Sequence, residues 1–308
     1  MSLVFYSRSD DPEPWRAAIA AAVPDLEFRV DPDIGNPADV HYALVWKPPQ
    51  GWLAQFPNLR AILSLGAGVD ALLEDPQLPH VPLTRMVDAG MGRQMAEYAA
   101  HAVLHFHRHM PRYAEHQRVA RWAPLEPVAA RDFAVGFMGL GVLGAQAAQL
   151  VAALDFPVLG WSRTPKSLPG VEGFAGDRGL AAFLARTRVL VNFLPLTDAT
   201  RGIIDARLLA GLPRGAFVVN PARGGHVVER DLLAALDSGH IAGAMLDVFE
   251  TEPLPAEHPF WKHPSVVVTP HVAAVTQAAD AASQVIDNLL RLERGEAPVG
   301  VVDRGAGY

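Results

Sequence analysis

Along the first third of the chain, short apolar runs alternate with amphipathic stretches. Leu3–Tyr6, His41–Trp46, Arg60–Leu65 and Val81–Arg85 are bounded by Gly, Pro or Asp and read as strands. Between the first two, the Ala-rich Trp15–Val23 reads as a helix whose start is marked by Pro12 and Pro14. Apolar positions Met95, Ala99, Ala102, Val103, Phe106 and Met110 then recur at spacings of three and four. They predict a helix from about Arg93 to Met110, stopped by Pro111. An irregular, Pro-bearing stretch, Arg121–Arg131, leads into a second series of strands: Phe133–Met138, Val158–Trp161, Val189–Phe193, Phe217–Asn220, Gly243–Leu246 and Val266–Thr269. A last helix is expected over Gln277–Arg294. Strands interleaved with helices pair in parallel through crossovers, so the fold class is α/β, and the second series matches a dinucleotide-binding sheet.

Bulk properties narrow the function classes. A chain of 308 residues has length for two buried cores. With 33 acidic against 26 basic residues, the net charge is −7, and no basic field exists to gather nucleic acid. The absence of cysteine excludes disulfides, thiolate nucleophiles and Cys-ligated zinc, and fits a cytoplasmic location. Asp10 and Asp11 follow the short apolar start too soon for a secretory signal. No apolar run reaches the ~18 residues of a membrane span, so a soluble protein with no membrane partner is expected.

Gly139-Leu140-Gly141-Val142-Leu143-Gly144 directly follows one predicted strand and opens the Ala-rich helix Ala145–Leu154. In that setting Gly139 permits the tight turn, Gly141 admits a pyrophosphate close to the backbone, and Gly144 lets helix and strand pack. The N–H groups at Val142, Leu143 and Gly144 then face the phosphates with the helix dipole behind them. An NAD enzyme usually places Asp or Glu at the end of the next strand to hold the ribose 2′-hydroxyl. Here that strand ends Trp161-Ser162-Arg163-Thr164-Pro165-Lys166, with no acid before Glu172. Arg163, aided by Ser162, Thr164 and Lys166, would attract a 2′-phosphate, so NADPH is expected over NADH.

Three further segments lie just beyond strand ends, where open α/β sheets bind ligands: Asn220–Gly225, Leu246–Pro255 and Val268–Ala274. Together with Gly139–Gly144 and Trp161-Ser162-Arg163, they make the chain resemble, over nearly its whole length, the D-isomer-specific 2-hydroxyacid dehydrogenases, in particular their glyoxylate/hydroxypyruvate reductase A branch. The resemblance implies that Arg223, Glu252 and His271 are catalytic. The chemistry suits these residue types. Reducing a 2-keto acid needs an anchor for the carboxylate, which arginine's planar cationic fork provides, and a proton donor for the carbonyl oxygen, which histidine provides near neutral pH. A carboxylate on the other ring nitrogen orients the imidazole and favours its protonated form.

The resemblance also assigns Leu194, Pro195, Thr200 and the Ala222 backbone to cofactor contact, and Asp247 to the nicotinamide amide. It assigns the backbone N–H groups of Gly68 and Val69 to the substrate carboxylate and Trp46 to the pocket wall, and it implies a homodimer formed by the long helix. His101 and His105 on that helix lack the glutamate of a zinc-binding H-E-x-x-H, and no metal is expected. The predicted domains are a flavodoxin-like substrate domain, residues 1–96 with 276–308, and a dinucleotide domain, 97–275, with a cleft between. The expected reaction is reduction of glyoxylate or hydroxypyruvate. A dehydrogenase for a bulkier substrate and a non-catalytic NAD(P)-sensing protein are the rivals.

Overall fold

Strand β1 (Ser2–Tyr6) is buried at every position, as a strand covered on both faces must be. Helix α1 (Pro12–Ala22) follows, with the Asp11 carboxylate capping the Glu13 N–H at 3.0 Å and Pro12 in the first turn. It buries Trp15 and Ile19. Parallel strands β2 (Glu27–Val30), β3 (Val40–Val45), β4 (Ala61–Ser64) and β5 (Leu83–Thr84) complete a sheet of order β2-β1-β3-β4-β5, with the short α2 (Asp70–Leu73) after β4. This is the flavodoxin-like order. The edge strand β2, absent from the sequence-based expectation, fully buries only Phe28 and so carries a weak apolar signal. The C-terminal helix Ala278–Glu293 belongs to this unit, whose extent is Met1–Gly90 with Thr276–Tyr308.

The second unit, Met91–Val275, begins with α3 (Met91–His107). Pro111 does not stop this helix. The chain turns at His109, whose φ is 58°, and Pro111 sits in the first turn of a new helix, α4 (Met110–Arg118), where its missing N–H removes no intrahelical bond. The sheet contains β6 (Val135–Met138), β7 (Val158–Ser162), β8 (Val171–Ala175), β9 (Val189–Asn192), β10 (Ala216–Asn220), β11 (Ile241–Leu246) and β12 (Val266–Val268). All pairs are parallel, in the order β12-β11-β10-β9-β6-β7-β8. The seventh strand, β8, lies at the edge, and its exposed Glu172 and Gly173 hide it from an apolar pattern.

Alternate residues of this sheet feed two cores. Met138, Leu190, Val218 and Ala244 pack with α6 (Gly176–Arg186), α7 (Ala206–Gly211) and α8 (Glu229–Asp237) through Phe183, Leu184, Leu209 and Leu232. Val135, Phe137, Val191 and Val219 pack with α3 and α5 (Val142–Ala152) through Ala99, Val103, Ala147 and Val151. The chain leaves β6 towards β7 and β8 and then returns to β9 on the other side of β6. That reversal creates a topological switch point beside the loop after β6. The structure, a computed structural model, describes all 308 residues; no helix is long and apolar enough to cross a membrane.

Candidate active site

Parallel pairing sets the strand ends level. Asn220 pairs with Leu246, and Leu246 with Val268, so three consecutive exit loops leave the same sheet edge at strand spacings of about 4.8 Å. Trp161, Met138 and Asn192 are likewise aligned, which brings the glycine loop and the Ser162 turn to that edge.

At the glycine loop, Gly139 takes φ 97° and its N–H donates to the Trp161 carbonyl at 2.9 Å. A Cβ on Gly144 would lie 2.1 Å from the Gly139 oxygen, so only glycine lets α5 start here. A Cβ on Gly141 would meet nothing within 4 Å. That open space, beside the first-turn N–H groups of α5 at Val142, Leu143 and Gly144, is what a pyrophosphate requires. The dinucleotide expected from the sequence therefore fits the residues present. Beyond β7, Ser162 is buried and its hydroxyl donates to the Thr164 carbonyl at 2.7 Å, shaping the turn that displays exposed Arg163 and Thr164. Lys166 reaches back to donate to the Leu140 carbonyl at 2.9 Å, within the phosphate loop. The first acid downstream, Glu172, lies opposite Leu159, inside the strand and away from the turn, where it forms a two-bond fork with Arg186 at 2.6 and 2.8 Å. That fork holds its carboxyl below the usual range.

His271 Nδ1 and Glu252 Oε2 are 2.9 Å apart, each side chain a little over one-quarter exposed. The other Glu252 oxygen accepts the Phe249 N–H at 3.2 Å, which fixes the carboxylate. No group of the chain takes up His271 Nε2, leaving it available as a proton donor. His271 adopts φ 56°, a conformation that costs a non-glycine residue about 1–3 kcal/mol. Buried Asp247 holds that turn. Its carboxylate accepts the N–H groups of Val272 at 2.9 Å and Ala273 at 2.8 Å and the Thr269 hydroxyl at 2.6 Å, and its carbonyl accepts the His271 N–H at 2.8 Å. Tyr98, on α3, bonds the same Thr269 hydroxyl at 2.8 Å, and burial pushes its phenol well above the ordinary range.

Arg223 opens a short 3₁₀ turn whose next residue is Gly224. A Cβ there would lie 1.8 Å from the Phe249 carbonyl carbon, so the arginine turn rests directly on the loop that carries Glu252. The guanidinium donates to the Ala222 carbonyl at 2.8 Å. Behind it runs a buried amide chain. Asn192 donates to Asn220 at 3.0 Å, and Asn220 donates to the Arg223 carbonyl at 2.8 Å. Asn192 also accepts the Leu194 N–H at 3.2 Å, and Thr200 donates to the Pro195 carbonyl at 2.6 Å. Neither asparagine was singled out by sequence reasoning. A polar residue closing each of the buried runs Val189–Asn192 and Ala216–Asn220 was the available signal.

In the other unit, Trp46 packs on Gly66, where a Cβ would come within 2.3 Å of the indole. The N–H groups of Gly68 and Val69, between β4 and α2, have no acceptor in the chain. The rings of His101 and His105 lie 5.8 Å apart, tilted by 44°, and burial holds His105 below the usual imidazole range. No group of three His, Asp or Glu side chains is placed to hold a metal.

Comparison with known proteins is consistent with this geometry. Residues 100–273 match the D-isomer specific 2-hydroxyacid dehydrogenase NAD-binding domain. A D-isomer specific 2-hydroxyacid dehydrogenase from Xanthobacter autotrophicus Py2, solved with NADPH and MES, is 48% identical, with coverage of 100% of this chain and 99% of that one and a TM-score of 0.95. An NADPH-dependent glyoxylate/hydroxypyruvate reductase from Sinorhizobium meliloti, solved with NADP and sulfate, is 42% identical over 100% of both chains, with a TM-score of 0.93. A probable 2-hydroxyacid dehydrogenase from Rhizobium etli CFN 42, solved with NADP, HEPES and L(+)-tartaric acid, is 37% identical over 100% and 99%, with a TM-score of 0.89. The chain belongs to the D-isomer specific 2-hydroxyacid dehydrogenase family.

Proposed function

We propose that this dehydrogenase is an NADPH-preferring reductase of small 2-keto acids, with glyoxylate and hydroxypyruvate as its substrate class. The observation that carries this reading is the His271–Glu252 pair at 2.9 Å, on the sheet edge that also bears Arg223 and the glycine loop. Glu252 keeps the His271 ring oriented with Nδ1–H towards the carboxylate, so that Nε2 delivers a proton to the substrate's carbonyl oxygen. Arg223 holds the keto acid's carboxylate and polarises the neighbouring carbonyl. In the first unit, the N–H groups of Gly68 and Val69 are the proposed substrate contacts, and Trp46 limits substrate size. The first turn of α5 and the cationic turn at Arg163, Thr164 and Lys166 hold the phosphates, while Leu194, Pro195, Thr200, Ala222 and Asp247 frame the nicotinamide. When bound, NADPH supplies the hydride. Two of the similar structures hold NADP and one NADPH, and one of these proteins reduces glyoxylate and hydroxypyruvate, which supports both halves of the assignment. The exposed apolar residues Leu104, Met110, Val119 and Trp122 around α3 and α4 support a homodimer.

A spectrophotometric screen of C2 to C6 2-keto acids with NADPH and NADH tests the assignment. The highest kcat/KM is expected for glyoxylate or hydroxypyruvate with NADPH. A peak at a branched or aromatic substrate would move the substrate class, and tight NADPH binding without turnover of any keto acid would favour a sensing protein.

A further inference from the structure

His226 is an ionisable side chain with no solvent exposure, and none of the roles above uses it. It closes the 3₁₀ turn that begins after Arg223. Its two ring nitrogens face two different loops: Nδ1 lies 3.1 Å from the Arg223 carbonyl oxygen and Nε2 lies 3.2 Å from the Pro195 carbonyl oxygen. The two carbonyls are otherwise tied separately, Arg223 to Asn220 and Pro195 to Thr200. The backbone reinforces the crossing, because Ile204 N–H donates to the His226 carbonyl at 2.8 Å and Gly202 N–H to the Gly225 carbonyl at 2.8 Å. Leucine, of similar size, would fill the space without a donor. The ring's chemistry therefore matters here, and not only its volume.

We infer that His226 is a positioning residue whose ring ties the backbone of Arg223 to the Pro195 loop, fixing the carboxylate anchor relative to the nicotinamide-binding loop. It touches neither substrate nor cofactor and acts through the two carbonyls. A neutral ring donates to one of them in each tautomer, and the imidazolium donates to both. The inference rests on the reductase reading for the roles of Arg223 and Pro195, but the clamp itself is a property of the chain.

Three variants separate the two arms. Asparagine places its amide nitrogen near Nδ1 and restores only the Arg223 bond. Glutamine places its nitrogen near Nε2 and restores only the Pro195 bond. Leucine restores neither. Calorimetry gives the Kd of NADPH for the free enzyme and of oxalate for the NADP⁺-loaded enzyme, so no turnover is required. His226→Leu should weaken binding by about tenfold on each arm to which the ring donates, roughly one hydrogen bond per arm. His226→Asn should recover oxalate binding, His226→Gln should recover NADPH binding, and ¹⁵N spectra of the wild type should show a ring N–H held in a hydrogen bond. Unchanged Kd values in all three variants, with only the melting temperature lowered, would reduce His226 to a packing residue and overturn the inference. Tenfold effects on binding in an enzyme that turns over no keto acid would instead sustain the clamp while removing the reductase reading.

Discussion

At the scale of single residues, the proposed chemistry depends on one proton donor and on two glycines that do different things. Removing the His271 ring takes away the proposed proton donor, so His271→Ala should lower kcat by ~10²–10⁴ with little effect on NADPH affinity. Glu252→Gln keeps an acceptor near Nδ1 but loses the charge, so its loss should be smaller than that of His271→Ala. Steady-state kinetics with glyoxylate decide both, and an unchanged kcat for the alanine variant would mean that another group gives the proton. The glycines make a sharper contrast. Gly144→Ala drives a methyl to 2.1 Å from the Gly139 oxygen, a backbone atom that cannot swing aside, and should cost about 1–3 kcal/mol of stability. Gly141→Ala meets nothing within 4 Å and should melt like the wild type, but it fills the space where the phosphates approach. NADPH should therefore raise its melting temperature much less than it raises that of the wild type. Equal stabilisation by NADPH would place the pyrophosphate elsewhere.

Among the elements, legibility followed the continuity of the apolar run, so that even the half-buried edge strand β12 was read. The strands β1, β3, β4, β6, β7, β9, β10 and β11 announced themselves because both faces are covered, giving unbroken apolar runs. The edge strands β2 and β8, half-wet and interrupted by charge or glycine, did not. Pro111 was read as a helix stop because a proline in a periodic stretch ends or starts a helix equally well by its local chemistry. The left-handed turn at His109 decides the matter, and it has no sequence signature. The segments that carry Arg223, Glu252 and His271 were legible because each follows a strand end, and the family resemblance singled out the three residues within them. Their supports, Asn192, Asn220, Thr269, Tyr98 and His226, were not, because the contacts that tie them to other loops join segments 28, 31 and 171 residues apart. The turn after β7 yields the element-scale prediction. With Glu172 locked to Arg186 inside the strand region, the first acid downstream lies away from the turn that carries Arg163. Arg163→Asp should lower kcat/KM for NADPH by at least tenfold, since it exchanges an attraction for a repulsion, and should spare NADH. A parallel loss for both cofactors would mean that the turn does not read the 2′-phosphate.

For the whole molecule, the open question is how many copies make the working enzyme, and Trp122 bears on it. Its indole is 100% exposed. The irregular segment after α4 is pinned at three points: Leu125 N–H donates to the Tyr113 hydroxyl at 3.0 Å, His109 bonds the Glu126 carbonyl at 3.1 Å, and His107 bonds the Val128 carbonyl at 2.8 Å. An arm held in place by its backbone, with a bare indole at its start, has already lost the conformational freedom that association would otherwise have to remove. Burying a tryptophan covers about 150–250 Å², worth on the order of 4–6 kcal/mol per copy at most. Val119, Met110 and Leu104 are also exposed nearby in the sequence and would add to that face. A twofold pairing uses every such residue twice. Light scattering should therefore find a particle of twice 33.1 kDa for the wild type. Trp122→Glu should shift it towards the monomer while leaving the far-ultraviolet circular dichroism unchanged, because nothing within the chain depends on that side chain. A wild-type monomer, or a glutamate variant that remains fully dimeric, would show that the arm serves another purpose.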